Sequence, residues 1–167
     1  MTTRRAPATA RHAGDGWVDC TCERGRHWGR LGAAGLVLAR RGPDGSVSHI
    51  VLQHRALWSD QGGTWGIPGG AVGPGETPLD GALREAHEEA GIPPGAVSVV
   101  GEHVLDHGTW RYTTILAEIV PGTRVEVRPT DPESLEIAWV AVDEIEDRTL
   151  LPAFGAVWRE LLDRFDA

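Results

Sequence analysis

The chain has 167 residues, of which 41% are hydrophobic and 24% charged, and its formal net charge is −8. This length suits one domain with its own core. The acidic balance argues against a nucleic-acid-binding protein, because such proteins usually carry a basic surface. Even the apolar run LGAAGLVLAR at residues 31–40 ends after ten residues, well short of the roughly 20 that cross a bilayer.

The first 16 residues, MTTRRAPATARHAGDG, predict a flexible tail ahead of a domain at residues 17–167. They contain basic residues with no apolar stretch behind them, so they do not resemble a secretion signal. The chain has two cysteines, Cys20 and Cys22, and their separation is poor for a disulfide between them. Together these features predict a cytoplasmic protein with reduced thiols.

The next segments predict a hairpin followed by loops and a helix. AAGLVLAR at 33–40 is expected to be a buried strand, RGPDGS at 41–46 a turn, and VSHIVLQHRA at 47–56 a second strand. Residues 58–78 are rich in glycine and proline and predict loops with one short extended piece. A helix is expected over Pro78–Ala90.

The second half predicts three strands and a terminal helix. AVSVVGEHVL at 96–105 and WRYTTILAEI at 110–119 flank the turn DHG, and EIAWVAV at 136–142 is the third strand. The segment 152–165 has apolar side chains at helical spacing, at positions 154, 157, 158, 161, 162 and 165. Strands around a central helix, with another helix after them, predict an α/β or α+β fold with a mixed sheet between helices.

The central helix contains three glutamates, Glu85, Glu88 and Glu89, within the stretch REAHEEAG. At about 100° per residue they share an arc of roughly 100°. Four apolar residues lie about 100° to 160° away from Glu85: Leu79, Leu83, Ala86 and Ala90. The helix is therefore expected to turn its acids largely away from its apolar face.

A solvated helix face is the common explanation for such a charge run. Like charges three or four residues apart nevertheless cost ~0.2 to 0.5 kcal/mol per pair, and glutamates near the C-terminal end oppose the helix dipole. Arg84 is the basic residue of this helix. These costs suggest a compensating cation, and Mg²⁺ prefers carboxylate and phosphate oxygens.

The segment GAVGPGETPLDGALREAHEEAGI at residues 70–92 resembles the box of the Nudix hydrolase family at every defined position over 23 residues. The resemblance extends in order over roughly residues 17–165. GAAGLVL, VLQHRALWSDQGGTWGIPGGA, TWRYTTILAE and ESLEIAWV resemble a MutT-like bacterial subgroup of 8-oxo-dGTP diphosphatases. The family resemblance implies a Nudix fold, which is an α/β/α sandwich with a mixed sheet. It also implies hydrolysis of a nucleoside diphosphate linked to another group.

The resemblance also implies which residues act. The metal ligands would be the Gly69 carbonyl and three carboxylates, those of Glu85, Glu88 and Glu89. Arg84 would orient the glutamates, and Glu76 would pair with it from the loop. Gly70 would allow close approach to the site, and Gly91 would end the helix as its C-cap.

Phosphoanhydride hydrolysis needs charge neutralisation and a positioned water, and divalent ions supply both. The hypothesis is hydrolysis of a nucleoside triphosphate by a metal-activated water, with Mg²⁺ as the ion and Mn²⁺ as a substitute. Glu85 is one candidate base. The loop DPESLEIAW offers two others, Glu133 and Glu136. Glu133 is favoured over Glu136 because Glu133 falls in the loop and Glu136 begins the strand.

The chain contains seven tryptophans. Trp139 and Trp158 are expected in the core. Four others, Trp28, Trp58, Trp65 and Trp110, lie near the box loops and are candidates to stack on a nucleobase, although core or rim packing is the commoner arrangement. The run Trp110-Arg111-Tyr112 is a candidate lining of the base pocket. Arg55 is either a phosphate contact or an exposed strand end.

The stretch CTCERGRHW places Cys20, Cys22 and His27 close in sequence. Free thiols are the expected state. The alternative is a zinc site, which needs a fourth ligand such as His12, although the spacing is not that of a standard zinc finger.

The expected partner is a small nucleotide, with neither nucleic acid nor membrane, and a homodimer is one option for the oligomeric state. Two other functions stay open. One is a Nudix hydrolase of ADP-ribose, a nucleotide sugar or another diphosphate metabolite. The other is a non-catalytic domain that senses a nucleotide, which the intact glutamates argue against.

Overall fold

The computed structural model describes residues 11–167. A small antiparallel hairpin comes first, formed by β1 (Trp17–Asp19) and β2 (Arg26–Trp28). The rings of Trp17 and Trp28 meet edge to face across it, with centroids 5.3 Å apart. Strands of three residues are too short to show an alternating pattern, so the sequence did not predict this hairpin.

The described part of the predicted tail packs on the domain. The carbonyls of Gly14 and Gly16 accept backbone hydrogen bonds from Arg30 and Gly29, at 2.7 and 2.8 Å. Asp15 between them is buried. Folded structure therefore begins before the predicted boundary at residue 16, and the rest of the predicted tail lies outside the described residues.

The main sheet has seven described strands: β3 (Ala33–Arg41), β4 (Val47–Arg55), β5 (Trp65–Gly66), β6 (Gly69–Ala71), β7 (Val97–Asp106), β8 (Arg111–Ile119) and β9 (Ser134–Ala141). The order along the sheet is β5-β4-β3-β8-β7, with β6 paired to β3 and β9 paired to β4. The β3–β8 pair is parallel and the other pairs are antiparallel. The predicted mixed sheet is confirmed, and each predicted strand lies within two residues of its expected bounds.

Helices cover both faces of this sheet: α1 (Pro78–Ala90) on one, and α2 (Pro152–Gly155) with α3 (Trp158–Asp163) on the other. Short 3₁₀ turns occupy Pro94–Ala96 and Val142–Asp147. None of the helices described is long and apolar enough to cross a membrane.

Strand β3 lies at the centre of the sandwich and is buried on both faces. Its residues Ala34, Leu36 and Leu38 pack towards α1, whereas Val37 and Ala39 pack towards α3. Alternation between the two layers follows from the period of two in a strand. The predicted α/β/α sandwich is confirmed.

The C-terminal segment forms two short helices where one continuous helix was expected. Helix α2 ends at Gly155, and Val157 has φ −128° and ψ −9°, outside the helical region. Glycine and a β-branched residue both lower helix propensity, which explains a break at this point. The predicted apolar face is still correct in part, because Phe154, Trp158 and Leu161 are buried.

Candidate functional site

Local signals at both ends fix helix α1. Thr77 is its N-cap, and it exchanges two hydrogen bonds of 3.1 Å with Asp80 in a capping box. Pro78 occupies the first turn, where the missing N–H costs nothing. Gly91 ends the helix in the left-handed region at φ 68°, and its N–H reaches back to the carbonyls of Ala86 and His87. The predicted bounds and the Gly91 C-cap are confirmed.

Two of the three helix glutamates point into the fold. Glu85 is 6% exposed and Glu89 only 2%. The prediction that the acids turn largely away from the apolar face is therefore wrong for both. The buried arc is wider than expected because small residues let α1 lie close to the sheet: Gly81, Ala82, Ala86 and Ala90.

Arg84 joins the acids of the helix to the preceding loop. Its Nε donates to Glu76 Oε1 at 2.7 Å, and its Nη1 donates to Glu85 Oε1 at 2.8 Å and to Glu88 Oε2 at 3.2 Å. Its Nη2 donates to the Ala71 carbonyl at 3.0 Å. Burial alone would lower the pKa of Arg84, but hydrogen bonds to Glu76 and Glu85 outweigh that effect and raise it. The guanidinium is permanently charged and fixed in position.

Glu89 is the most deeply buried acid of the site. Burial raises its pKa well above the ordinary value, and the nearby charges of Glu85, Asp131 and Glu133 raise it further. The Gly69 N–H donates a hydrogen bond of 3.0 Å to Glu89 Oε2. This bond favours the ionised carboxylate, but it offsets only part of the rise in pKa. An ionised Glu89 therefore requires a compensating cation.

A second acidic segment approaches the helix from the loop before β9. One carboxylate oxygen from each of Glu89, Asp131 and Glu133 lies within 4.8 Å of the others. Burial raises the pKa of Glu133, partly opposed by the charge of Arg11. Glu136 is exposed and lies within β9, so the structure places Glu133 rather than Glu136 at the helix.

Arg11 bridges the two acidic segments. Its guanidinium lies 3.5 Å from Glu88 Oε2, 3.4 Å from Asp131 Oδ2 and 3.0 Å from Glu133 Oε1. The Arg11 side chain is 41% exposed, so these pairs are screened and exchangeable. The acidic side chains of the site are therefore already paired with a cationic side chain of this protein, that of Arg11.

Two glycines and a tyrosine border the acids on the strand side. A Cβ at Gly70 would lie 2.6 Å from Glu85 Cδ, so only glycine leaves room for that carboxylate. A Cβ at Gly69 would lie 2.7 Å from the Tyr112 hydroxyl. Burial raises the pKa of Tyr112, and the charge of Glu89 raises it further. The Tyr112 hydroxyl is therefore neutral and lies beside the acidic cluster.

Comparisons with known proteins agree with this arrangement. The family profile described as NUDIX domain matches residues 29–164. The chain belongs to the Nudix family. The sequence-based prediction of the family is confirmed.

Among the relatives of this Nudix chain is a Bifidobacterium longum protein named "Nucleoside triphosphate pyrophosphatase/Nudix hydrolase fusion protein". It is 54% identical over 92% of the chain, and the match spans 32% of that protein. A Mycobacterium tuberculosis protein named "Putative 8-oxo-dGTP diphosphatase 3" is 45% identical over 89% of the chain and 69% of its own length. The chain thus spans about a third of the first relative and somewhat over two thirds of the second.

A solved structure of the Nudix hydrolase RenU from M. smegmatis superimposes with a TM-score of 0.77. It is 43% identical and the match covers 90% of this chain and 94% of that one. The fold and the order of the box elements are therefore those of a Nudix domain over nearly the whole described chain.

The structure brings some of the predicted substrate-binding residues to the Nudix site and not others. Burial raises the pKa of both Tyr112 and Glu133, and the charge of nearby Arg55 opposes part of each rise. The Arg55 Nε donates to the Asp60 carbonyl at 2.9 Å. It thus lies beside the acidic cluster while anchored to its own loop. Its contact with phosphate stays a prediction.

Two of the four candidate stacking tryptophans, Trp65 and Trp110, are already covered by neighbouring side chains. Trp65 stacks on His54 with centroids 4.6 Å apart, and the Arg148 guanidinium lies 5.0 Å from its ring. Trp110 is 8% exposed and stacks on His27 at 3.9 Å. A nucleobase could stack on either ring only after displacing a neighbour. The other tryptophans range from buried Trp158 to Trp58, which is 50% exposed.

Sequence reasoning missed two residues of the Nudix site. Asp131 lies two residues before Glu133, in the loop that supplied Glu133 and Glu136 as candidates for the base. Its position in this acidic loop was the signal that could have identified it. Arg11 falls in the predicted tail, and no local pattern links it to the helix. Only the folded chain shows that contact.

The cysteines form a separate cluster with two histidines. Cys20, Cys22, His27 and His107 each offer a ligand atom within 4.8 Å of the others. His12, the candidate fourth zinc ligand from the sequence, lies elsewhere: its Nε2 is 3.3 Å from Arg84 Nη2. The assignment of His12 is therefore wrong, and His107 occupies the fourth position.

Proposed function

We propose that this chain is a Mg²⁺-dependent Nudix pyrophosphohydrolase that cleaves a phosphoanhydride bond of nucleoside triphosphates, with 8-oxo-dGTP as the candidate substrate. The relative named "Putative 8-oxo-dGTP diphosphatase 3" supports this substrate by its name, and the fusion protein, of which the chain matches 32%, supports the Nudix hydrolase chemistry. The observation that carries the proposal is the group of carboxylates that converges from α1 and from the loop before β9.

The donor set of this group fits a hard divalent cation. The cluster formed by Glu89, Asp131 and Glu133 offers carboxylate oxygens alone, and Mg²⁺ and Mn²⁺ both favour oxygen ligands. Among residues 11–167, buried Glu89 has neighbouring acids and one backbone N–H as its electrostatic partners, so a cation bound there would offset the cost of its charge. The proposed ligands are Glu85, Glu88, Glu89 and the Gly69 carbonyl, and Asp131 and Glu133 face them from the loop before β9. Bound there, the ion would neutralise phosphate charge and acidify a water.

The chain's own residues then position the reaction. Arg84 holds Glu85 and Glu88 in place while Glu76 fixes Arg84 from the loop. We assign the general base to Glu133, because it lies in the loop before β9 with its carboxylate facing Glu89 of α1, where it can accept a proton from the attacking water. Arg55, next to Glu133, is the proposed phosphate contact.

A substrate panel tests the proposal. Purified protein is incubated with 8-oxo-dGTP, dGTP, ADP-ribose or a nucleotide sugar, each with Mg²⁺, Mn²⁺ or a chelator, and the products are separated by chromatography. We expect 8-oxo-dGTP to give a monophosphate and pyrophosphate, or a diphosphate and phosphate, only with a divalent ion. Turnover confined to ADP-ribose would reject the triphosphate substrate, and turnover of nothing in the panel would favour a nucleotide sensor.

The base is tested by a matched pair of variants. Glu133→Gln should lower kcat by about 10²-fold or more, the usual effect of losing a general base. Glu136→Gln, three residues away and exposed in β9, should retain nearly all activity. If the two variants behave alike, Glu133 is not the base.

A further inference from the structure

The cysteine and histidine cluster outside the Nudix site carries a further inference. Cys20 and Cys22 come from the loop between β1 and β2, His27 comes from β2, and His107 comes from the turn between β7 and β8. We propose that these four side chains form a structural Zn²⁺ site that fastens the β1–β2 hairpin to the β7–β8 turn.

The distances between the donor atoms are within about 0.2 Å of the range expected around a tetrahedral ion. Bonds of about 2.3 Å to sulfur and about 2.05 Å to nitrogen in a tetrahedron place neighbouring donors about 3.3 to 3.8 Å apart. Cys20 Sγ lies 3.5 Å from His107 Nδ1, and Cys22 Sγ lies 3.1 Å from His27 Nε2. The two imidazole nitrogens, His27 Nε2 and His107 Nδ1, are 3.2 Å apart. All four donors therefore face one point.

The surrounding groups hold the ligands in this orientation. The backbone N–H of Cys22 donates to Cys20 Sγ at 3.4 Å, and the loop is closed by two hydrogen bonds with Gly25, each 2.9 Å long. The His27 ring is stacked on Trp110 with an angle of 8° between the rings. Supporting contacts of this kind orient metal ligands in known sites.

The donor type separates this site from the acidic cluster. Two thiolates and two imidazoles select zinc over magnesium, whereas carboxylate oxygens select magnesium. Four protein ligands leave no open position for water or substrate, which is the pattern of a structural rather than a catalytic zinc. The role is to join residues 20–27 to His107, which is 80 positions beyond His27.

Metal analysis of the full chain tests the proposal. Protein expressed with added zinc and then passed through gel filtration should contain close to one zinc per chain by mass spectrometry. Replacement of zinc by Co²⁺ should give the intense visible bands of a tetrahedral site and a thiolate-to-cobalt band in the near ultraviolet. Zinc lost during gel filtration, or a weak octahedral cobalt spectrum, would overturn the assignment.

Paired variants identify the fourth ligand. His107→Asn should lose most of the zinc, whereas His12→Asn, the alternative from the sequence, should keep it. Should His107→Asn fail to fold, alkylation of the unaltered protein supplies a second measurement: zinc should protect both Cys20 and Cys22 from the reagent, and Mg²⁺ should not. Equal labelling with and without zinc, or zinc retained by His107→Asn, contradicts the site.

Discussion

Replacing Glu89 by glutamine should stabilise the metal-free protein and remove its response to Mg²⁺. Glu89 is 2% exposed and accepts one hydrogen bond, from Gly69 N–H at 3.0 Å. Glutamine has the same shape, and its side-chain oxygen can accept the same bond. The substitution therefore changes the charge of the buried group and little else.

The sign of the pH dependence follows from the raised pKa of Glu89. Burial keeps the folded-state pKa well above its ordinary value of 4.5, so folded protein holds a proton that the unfolded chain has released. Stability of the metal-free protein therefore falls as the pH rises from the unfolded pKa through the folded one. At low pH, where both states are protonated, Glu89→Gln should change stability little.

The size of the effect can be bounded. Each unit by which the folded pKa is raised costs about 1.4 kcal/mol once the pH exceeds it. An uncompensated buried polar group costs about 1 to 3 kcal/mol, and more when it is charged. For a domain of this size about 1 kcal/mol shifts Tm by about 2 to 4 °C. We therefore expect metal-free Glu89→Gln to melt several degrees above the unaltered protein at pH 8.

Thermal melts from pH 5 to 8, with chelator or with saturating Mg²⁺, measure both effects. An ion at 100 times its Kd adds about 2.7 kcal/mol to the unaltered protein, and Glu89→Gln should lose most of this gain. For the metal-free melts Glu88→Gln is the matched control and should not raise Tm, because the Glu88 side chain is 38% exposed and pairs with two arginines. If metal-free Glu89→Gln is no more stable than the unaltered protein at pH 8, the argument from buried charge is refuted.

Two further substitutions test the geometry of the site. Gly70→Ala brings a methyl group to 2.6 Å from Glu85 Cδ, so we expect kcat to fall by about tenfold or more, equivalent to at least about 1.4 kcal/mol. Gly95→Ala, where a Cβ meets nothing within 4 Å, is its control, and equal kcat for the two would contradict the steric argument. Arg11→Ala removes a cation that competes for three site carboxylates, so half-maximal activity should need less Mg²⁺. Arg159→Ala, on a distant exposed ion pair, should leave that midpoint unchanged, and an unchanged or higher midpoint for Arg11→Ala would count against the competition.

The sequence predicts those features of the structure that neighbouring residues determine, and it misses those that depend on contacts between distant segments. Helix α1 was predicted with its correct bounds, and the structure shows that those bounds are set locally, by the Thr77 N-cap, Pro78 and the Gly91 C-cap. The burial of Glu85 and Glu89 was not predicted. The angular positions of residues around a helix do not show which strands pack against each of its faces. That coverage depends on β6 lying beside β3, a long-range pairing.

The same reasoning explains the errors in single ligands. Glu133 was favoured because it falls in a loop, but a loop position does not show which helix the side chain faces, and the same loop gave no reason to select Asp131. His107 lies 80 residues from its neighbour His27, so the sequence offered no means to prefer it over nearby His12. Local sequence patterns do not specify which distant segments of the chain come into contact, and these ligands depend on such contacts.

The two clusters are connected through strand β8 and its preceding turn. Trp110 stacks on His27 at 3.9 Å, and the Tyr112 ring lies 6.1 Å further along. The Tyr112 hydroxyl reaches Gly69, whose N–H holds Glu89. A continuous series of contacts therefore joins His27 of the cysteine and histidine cluster to Glu89, while Arg84 holds the neighbouring acids Glu85 and Glu88.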